Sequence, residues 1–147
     1  MNPVQLHLAT THVPVILSIA GFGLLVVAVI RKETLLIKTA YWMLIISAVA
    51  ALPVYFTGEG TAETLEKLPG ISKDSIELHE ETAESTVIVT GFVGVLSIMG
   101  LFFDKRIRLG RALRLATLLF AFLSSAVLVN VAHLGGQIRH SEIRKNQ

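Results

Sequence analysis

Four long runs of apolar residues, separated by short polar stretches, make up most of the chain. They are residues 13–30, 35–56, 85–103 and 115–134. The only Asp, Glu, Lys or Arg within these four runs is Lys38, near the start of the second run. Each run has about the 20 residues that an α-helix needs to cross roughly 30 Å of hydrocarbon. The pattern predicts an all-α membrane protein, built as an antiparallel four-helix transmembrane bundle.

Turn and capping signals set the expected bounds of these helices within a single domain, 1–147. Pro53 should bend the second helix near its end, and Thr57-Gly58-Glu59-Gly60 should terminate it and open an outer loop, 58–73. Asp74 and Glu77 have the spacing of a capping box, which would start the third helix about ten residues before its apolar run. The predicted helices are about 12–31, 35–57, 74–104 and 110–138.

Aromatic and glycine residues carry further expectations about packing. Tyr41 and Trp42 lie one turn into the second run, at the depth where aromatic side chains gather at a membrane interface. The glycines of the first and third runs favour close contact between helices, although a planar cofactor would also need small residues around it. These glycines are Gly21, Gly23, Gly91, Gly94 and Gly100.

Composition agrees with a membrane protein and excludes several kinds of site. Of the 147 residues, 52% are hydrophobic and 16% are charged, too few to cover a water-soluble domain with polar surface. The absence of cysteine excludes disulfides, thiolate zinc sites, iron–sulfur clusters and covalent haem attachment. Residues 1–11 contain no Lys or Arg, unlike the basic start of a cleavable signal peptide, so we expect the first helix to be retained.

Charge is distributed unequally between the two sides of the predicted bundle. Two turns, 31–38 and 105–114, hold eight of the thirteen Lys and Arg residues, whereas 58–84 holds eight of the eleven acids. By the positive-inside rule the basic turns face the cytoplasm, and both termini lie on the outer side. The expected location is therefore a bacterial inner membrane, crossed several times. Because the basic residues lie beside the bilayer, they indicate contact with anionic lipid and do not indicate nucleic acid.

All five histidines fall at the predicted outer end of the bundle. They are His7, His12, His79, His133 and His140. Imidazole is a common ligand of haem iron and of transition metals, and ionisable groups near a membrane are costly, so such a cluster indicates a binding site. In an antiparallel bundle the first helix is diagonal to the third and adjacent to the fourth, and facing side chains can hold a cofactor between them.

The candidate ligands are His12, His79, His133 and His7, and their pairing stays open. His79 could pair with His12 or His133, or His7 could fold back over the rim as its partner. His140 lies in a polar tail, where solvent exposure is expected. A histidine ligand is usually oriented by a hydrogen bond at its second ring nitrogen, and the candidates for that partner are Asn130, Glu59 and Glu80.

Several short motifs resemble those of an uncharacterised family of bacterial four-helix membrane domains. His7-Leu-Ala-Thr-Thr-His12-Val-Pro14 is similar to the family's "HPxxxHFP" opening, although Leu8 and Val13 depart from it. Thr57-Gly58 resembles the end of the family's second helix, and His79 takes the place of its third-helix histidine. Residues 132–140 resemble its "HxGGxxxxH" ending, with three residues instead of four between Gly136 and His140. That ending is also found in membrane domains attached to planctomycete-type c cytochromes.

The resemblance implies a redox role, because this family is associated with c cytochromes and is similar in layout to small membrane b-type cytochromes. We expect a haem b electron carrier that acts at the outer face between quinol in the membrane and an outer redox protein. Three alternatives remain: a His/Glu site for copper, zinc or iron without a macrocycle, an accessory subunit of a respiratory or photosynthetic complex, and a transporter. The transporter has little support, because no charged residue lies in mid-span and only Pro53 interrupts a helix. A homo-oligomer or a larger membrane assembly fits any of these. Whether the chain is an enzyme is not decided, but no hydrolase motif is present.

The predicted orientation can be tested directly because the chain has no cysteine of its own. We expect a membrane-impermeant maleimide to label Asp74→Cys in spheroplasts, because that residue lies in the outer segment. Lys32→Cys and Lys105→Cys should react only after the membrane is permeabilised. Labelling of the two basic turns from outside would reverse the predicted orientation.

Overall fold

The chain is entirely helical over the residues that the computed structural model describes, 3–65 and 71–139. Its helices are α1 Pro3–Thr10, α2 His12–Arg31, α3 Thr34–Leu65, α4 Lys73–Phe103 and α5 Ile107–Arg139. Four segments, starting at His7, Thr34, Lys73 and Ile107, are long and apolar enough to cross a membrane. The prediction of an all-helical, multi-pass membrane protein is therefore confirmed at that level. Short α1 leads into α2 with Thr11 still in helical geometry.

The four long helices form a ring in chain order. Helix α3 packs between α2 and α4, and α5 packs between α4 and α2, so that α2 is diagonal to α4. This is the arrangement expected for an up-and-down bundle. We call the end where α2 and α4 begin and α3 and α5 finish the histidine end. The opposite end, with the turns at 32–33 and 104–106, is the basic end.

The third helix continues beyond the end predicted for it. It runs to Leu65 instead of stopping at Thr57, so Thr57-Gly58-Glu59-Gly60 is helical and the predicted loop 58–73 is too long. Threonine hydroxyls inside this stretch donate to carbonyls four residues earlier, Thr57 to Pro53 and Thr61 to Thr57. Packing of α1 against this part of α3 also stabilises the helix. A prediction from the low helix propensity of glycine does not take this tertiary contact into account.

The fourth helix begins with a different cap from the one predicted. Ser72 is the N-cap residue, with its hydroxyl 3.4 Å from the Ser75 backbone N–H, whereas Asp74 lies in the first turn. A serine hydroxyl and an aspartate carboxylate are about equally good at this position, which is why the local pattern did not separate them. The helix still starts about three turns before its apolar run, as predicted.

The tightly packed core lies towards the basic end and contains Tyr41. Its exposed fraction is only 1%, so its ring packs inside the bundle, whereas neighbouring Trp42 is 56% exposed. The prediction that both residues lie at interfacial depth stays a prediction. The Tyr41 ring occupies the space that a side chain at Gly100 would take, since a Cβ there would lie 2.6 Å from the ring. The buried core residues are Leu25, Ala28, Ile37, Ala40, Tyr41, Leu44, Val93 and Ala121.

Buried hydroxyls tie the helices together above this core. Ser18 on α2 bonds Ser125 on α5 at 3.0 Å, and Thr90 on α4 bonds Ser124 on α5 at 2.9 Å. The Ser47 hydroxyl donates to the Pro14 carbonyl at 2.8 Å. Such pairs are favoured in a bilayer, where an unpaired polar group finds no water. Large apolar side chains instead cover the outside of the bundle, as expected of a surface that faces lipid.

Two glycines allow a direct test of the close helix contacts. Gly100→Ala should destabilise the bundle by about 1–3 kcal/mol, because its methyl group overlaps the buried Tyr41 ring. Gly23→Ala is the matched control, since nothing lies within 4 Å of its added Cβ. That variant should be neutral or more stable, by up to about 1 kcal/mol. Thermal unfolding in detergent measures both, and equal melting temperatures would contradict the contact.

Candidate functional site

A large cavity opens at the histidine end, between all four long helices and α1. Its volume is about 960 Å³, within the range of small-molecule and cofactor sites. The walls are mainly apolar, with three histidines and several glutamates among them. The polar lining residues that concern the site are His7, His12, His79, Glu77, Glu80, Glu81 and Glu84.

Small residues account for the open volume. Gly58 and Ala62 on α3, Ala83 on α4, and Gly135 and Gly136 on α5 all line the cavity, and their side chains are too short to fill it. These are different from the glycines of the apolar runs. Of those, Gly21, Gly94 and Gly100 lie against side chains of a neighbouring helix, whereas Gly23 and Gly91 have open space beside them. Helix contact and cavity formation therefore use largely separate sets of small residues, with Gly135 serving both, because the His79 ring packs against it.

His7 is held against α3 in one tautomer. Its Nδ1 lies 2.9 Å from the Val54 carbonyl oxygen and 3.3 Å from the Thr57 hydroxyl. Because a carbonyl oxygen only accepts, Nδ1 must carry the hydrogen, and Nε2 of the neutral ring keeps its lone pair. A carbonyl behind one ring nitrogen is the usual means of orienting an imidazole ligand. The sequence analysis named Glu59, Asn130 and Glu80 for this role and missed Val54.

His79 lines the cavity from α4 and faces α5. Its Nδ1 is buried and has no hydrogen-bond partner within 3.5 Å among the described residues, although the backbone of Val131 is close enough to interact with the ring. The ring fits closely against Gly135, where a Cβ would lie 3.1 Å from its Cε1. His7 and His79 are near enough to interact electrostatically. The two imidazoles therefore share one cavity, and His79 has an unsatisfied ring nitrogen.

The other candidate ligands are placed less favourably. His12 lines the cavity at the start of α2, but its side chain is exposed. His133 is exposed on α5, is not part of the lining, and its Nε2 lies 2.9 Å from Gln137 Nε2. Because that amide nitrogen donates, the lone pair of His133 Nε2 is already used. The prediction of His133 as a leading ligand has no support from this arrangement.

The residues predicted to orient a ligand are scattered. Glu80 lines the cavity, whereas Asn130 is exposed on α5 and does not line it. The side chain of Glu59 and the whole of His140 lie outside the described residues. Among the described residues, no three His, Asp or Glu side chains are grouped closely enough to hold a metal ion.

Of the four candidate ligands, His7 and His79 therefore line the cavity with partly buried rings, and apolar side chains make up most of the wall around them. Comparison of the chain with protein-family models, curated proteins and solved structures finds no significant match in any of the three. The family resemblance of the motifs stays a prediction.

The His7 contact should hold α1 against α3. His7→Ala removes the side-chain hydrogen bond to Val54, so we expect the amides of α1 to exchange roughly three to ten times faster, the effect of one net hydrogen bond. Hydrogen exchange read by mass spectrometry measures this. His12→Ala is the control, and the same acceleration of α1 in both variants would contradict the proposed anchor.

Proposed function

We propose that the chain is a membrane-bound carrier of electrons that binds haem b non-covalently in the cavity at its histidine end. His7 and His79 are the preferred axial ligands, and His12 is the third candidate. The observation that carries the proposal is the pair of imidazoles in one apolar cavity, one oriented by a backbone carbonyl and the other with a buried unpaired nitrogen. The lone pair on His7 Nε2 is available for a metal.

Burial explains why an unpaired nitrogen on His79 points to a ligand. A buried polar atom without a partner typically costs about 1–3 kcal/mol, so native structures seldom keep one unless something else satisfies it. Close packing on Gly135 restricts the ring and keeps it at the wall of the cavity. Nδ1 itself has no accessible surface and lies towards α5, so an iron atom in the cavity would supply the missing interaction once the ring turns this nitrogen away from Gly135.

The surrounding residues suit the apolar faces of the ring but not its anionic edge. The two propionates of haem b are negatively charged, and the charged residues among the described lining are four glutamates, with no Lys or Arg. Apolar side chains such as Val15, Val87 and Leu128 would exclude water from its faces. Glu77, Glu81 and Glu84 line the same cavity, and their negative charge would favour the oxidised, more positive form of the iron. When bound, haem supplies reversible one-electron chemistry. The chain supplies the ligands and the apolar surroundings that set the reduction potential of the haem.

The site lies at one end of the bundle, so electrons would move along one membrane face and not across the bilayer. With the orientation expected from the basic turns, this is the outer face of a bacterial inner membrane. Quinol in the membrane is a suitable donor, and an outer redox protein is a suitable acceptor. A bare copper, zinc or iron site is less well supported, because the described residues contain no cluster of three ligands.

Absorption spectroscopy on the detergent-purified protein tests the proposal. We expect a Soret band that shifts on reduction with dithionite, either as purified or after addition of haemin. His79→Ala should lose the bound haem or change its ligation, and added imidazole should restore the spectrum. His7→Ala should weaken the band, whereas His133→Ala, the matched control at the same end, should leave it unchanged.

Two outcomes would overturn the proposal. One is a wild-type protein that stays colourless in haem-replete cells and binds no haemin. The other is a haem spectrum that survives loss of both His7 and His79. Circular dichroism and size-exclusion chromatography of each variant separate loss of a ligand from loss of the fold. Stoichiometric copper or zinc in a colourless protein would instead support the metal site.

A further inference from the structure

A second, smaller recess lies near the basic end, on the outside of the bundle between α3 and α4. Its volume is about 420 Å³. Three of its lining residues, Lys38, Trp42 and Ile45, follow one another at helical spacings of four and three on α3. The lining residues on α4 are Ile98, Leu101 and Phe102. This lateral groove is separate from the cavity at the histidine end and shares no lining residue with it.

The groove is amphipathic along its length. Lys38 lies nearest the start of α3, and the remaining five lining residues are apolar or aromatic. From Lys38 to Ile45 the helix rises about 10 Å, so one cation stands beside a strip of apolar wall that leads towards the middle of the span. A phospholipid has this distribution, with a charged phosphate at one end and hydrocarbon below it.

Charge at this end selects the sign of the headgroup. The two segments at the basic end, 31–38 and 104–114, have eight Lys and Arg residues, against two acids, Glu33 and Asp104. Asp104 is already engaged by Arg114, with 3.0 Å between Oδ1 and Nη2. Lys38 itself is exposed, so its ammonium group can reach a headgroup. An anionic group therefore complements the groove.

We propose that this lateral groove is a specific site for one anionic phospholipid, whose phosphate contacts Lys38 and whose acyl chain lies along Trp42, Ile45 and Phe102. The groove is built into the packed interface of α3 and α4, so the lipid would bind a preformed surface. Trp42 is 56% exposed and Phe102 is 79% exposed, and both rings would gain contact with the chain. This proposal does not depend on a haem at the other end.

Trp42 provides its own assay, because it is the only tryptophan in the chain. The protein is reconstituted in phosphatidylcholine vesicles that contain increasing fractions of brominated phosphatidylglycerol or, separately, brominated phosphatidylcholine. Quenching of Trp42 fluorescence then gives the relative affinity of the groove for the two lipids. We expect about a fivefold preference for the anionic lipid, the size typical of one cation at an anionic membrane surface.

Two variants that each remove one positive charge distinguish a specific lipid site from general attraction of anionic lipid to the basic end. Lys38→Gln should bring the preference close to one, and high salt should weaken it in the wild type. Arg111→Gln removes an exposed cation at the same end that does not line the groove, so it should keep the preference. Equal quenching of the wild type by both lipids would overturn the proposal. An unchanged preference in Lys38→Gln would also overturn it.

Discussion

Close approach of α3 and α4 is the contact on which the rest of the structure depends. Gly94 lies against Ala48, and Gly100 lies against the Tyr41 ring, at positions where an added Cβ would be only 2.7 and 2.6 Å from its neighbour. In a bilayer the hydrophobic effect does little to join helices, so van der Waals packing of this kind has to supply much of the association. It also makes room for a tyrosine ring in the interior of the bundle.

The two ends of the bundle use small residues for opposite purposes. Towards the basic end, side chains such as Tyr41 and Leu44 pack directly against glycines of a neighbouring helix, so the helices are in close contact. At the histidine end Gly136, Ala62 and Ala83 line open space. A bundle that is closed at one end and open at the other is well suited to hold a guest without losing its fold. This division is the structural basis of the proposed haem site.

The length and spacing of the apolar runs were enough to predict the fold at low resolution. Four apolar runs gave the number and approximate position of the long helices, and short connections implied neighbours in chain order. The errors arose where the local signal was weak. Thr57-Gly58-Glu59-Gly60 has the composition of a helix end, but hydroxyl bonds within α3 and contact with α1 keep it helical. Helix propensity is a small term that such packing outweighs.

The sequence by itself determined that this chain has four apolar helices with histidines at one end, because helical period, length and hydropathy are local properties. Only the tertiary structure decided which histidines meet. His7 and His79 line one cavity, whereas His133, an equally good candidate by its depth, is on the outside. The reason is rotational: each residue turns the helix by about 100°, so a ring's direction depends on how the whole helix packs. Neighbouring backbone, such as the Val54 carbonyl, then selects the nitrogen left for a ligand.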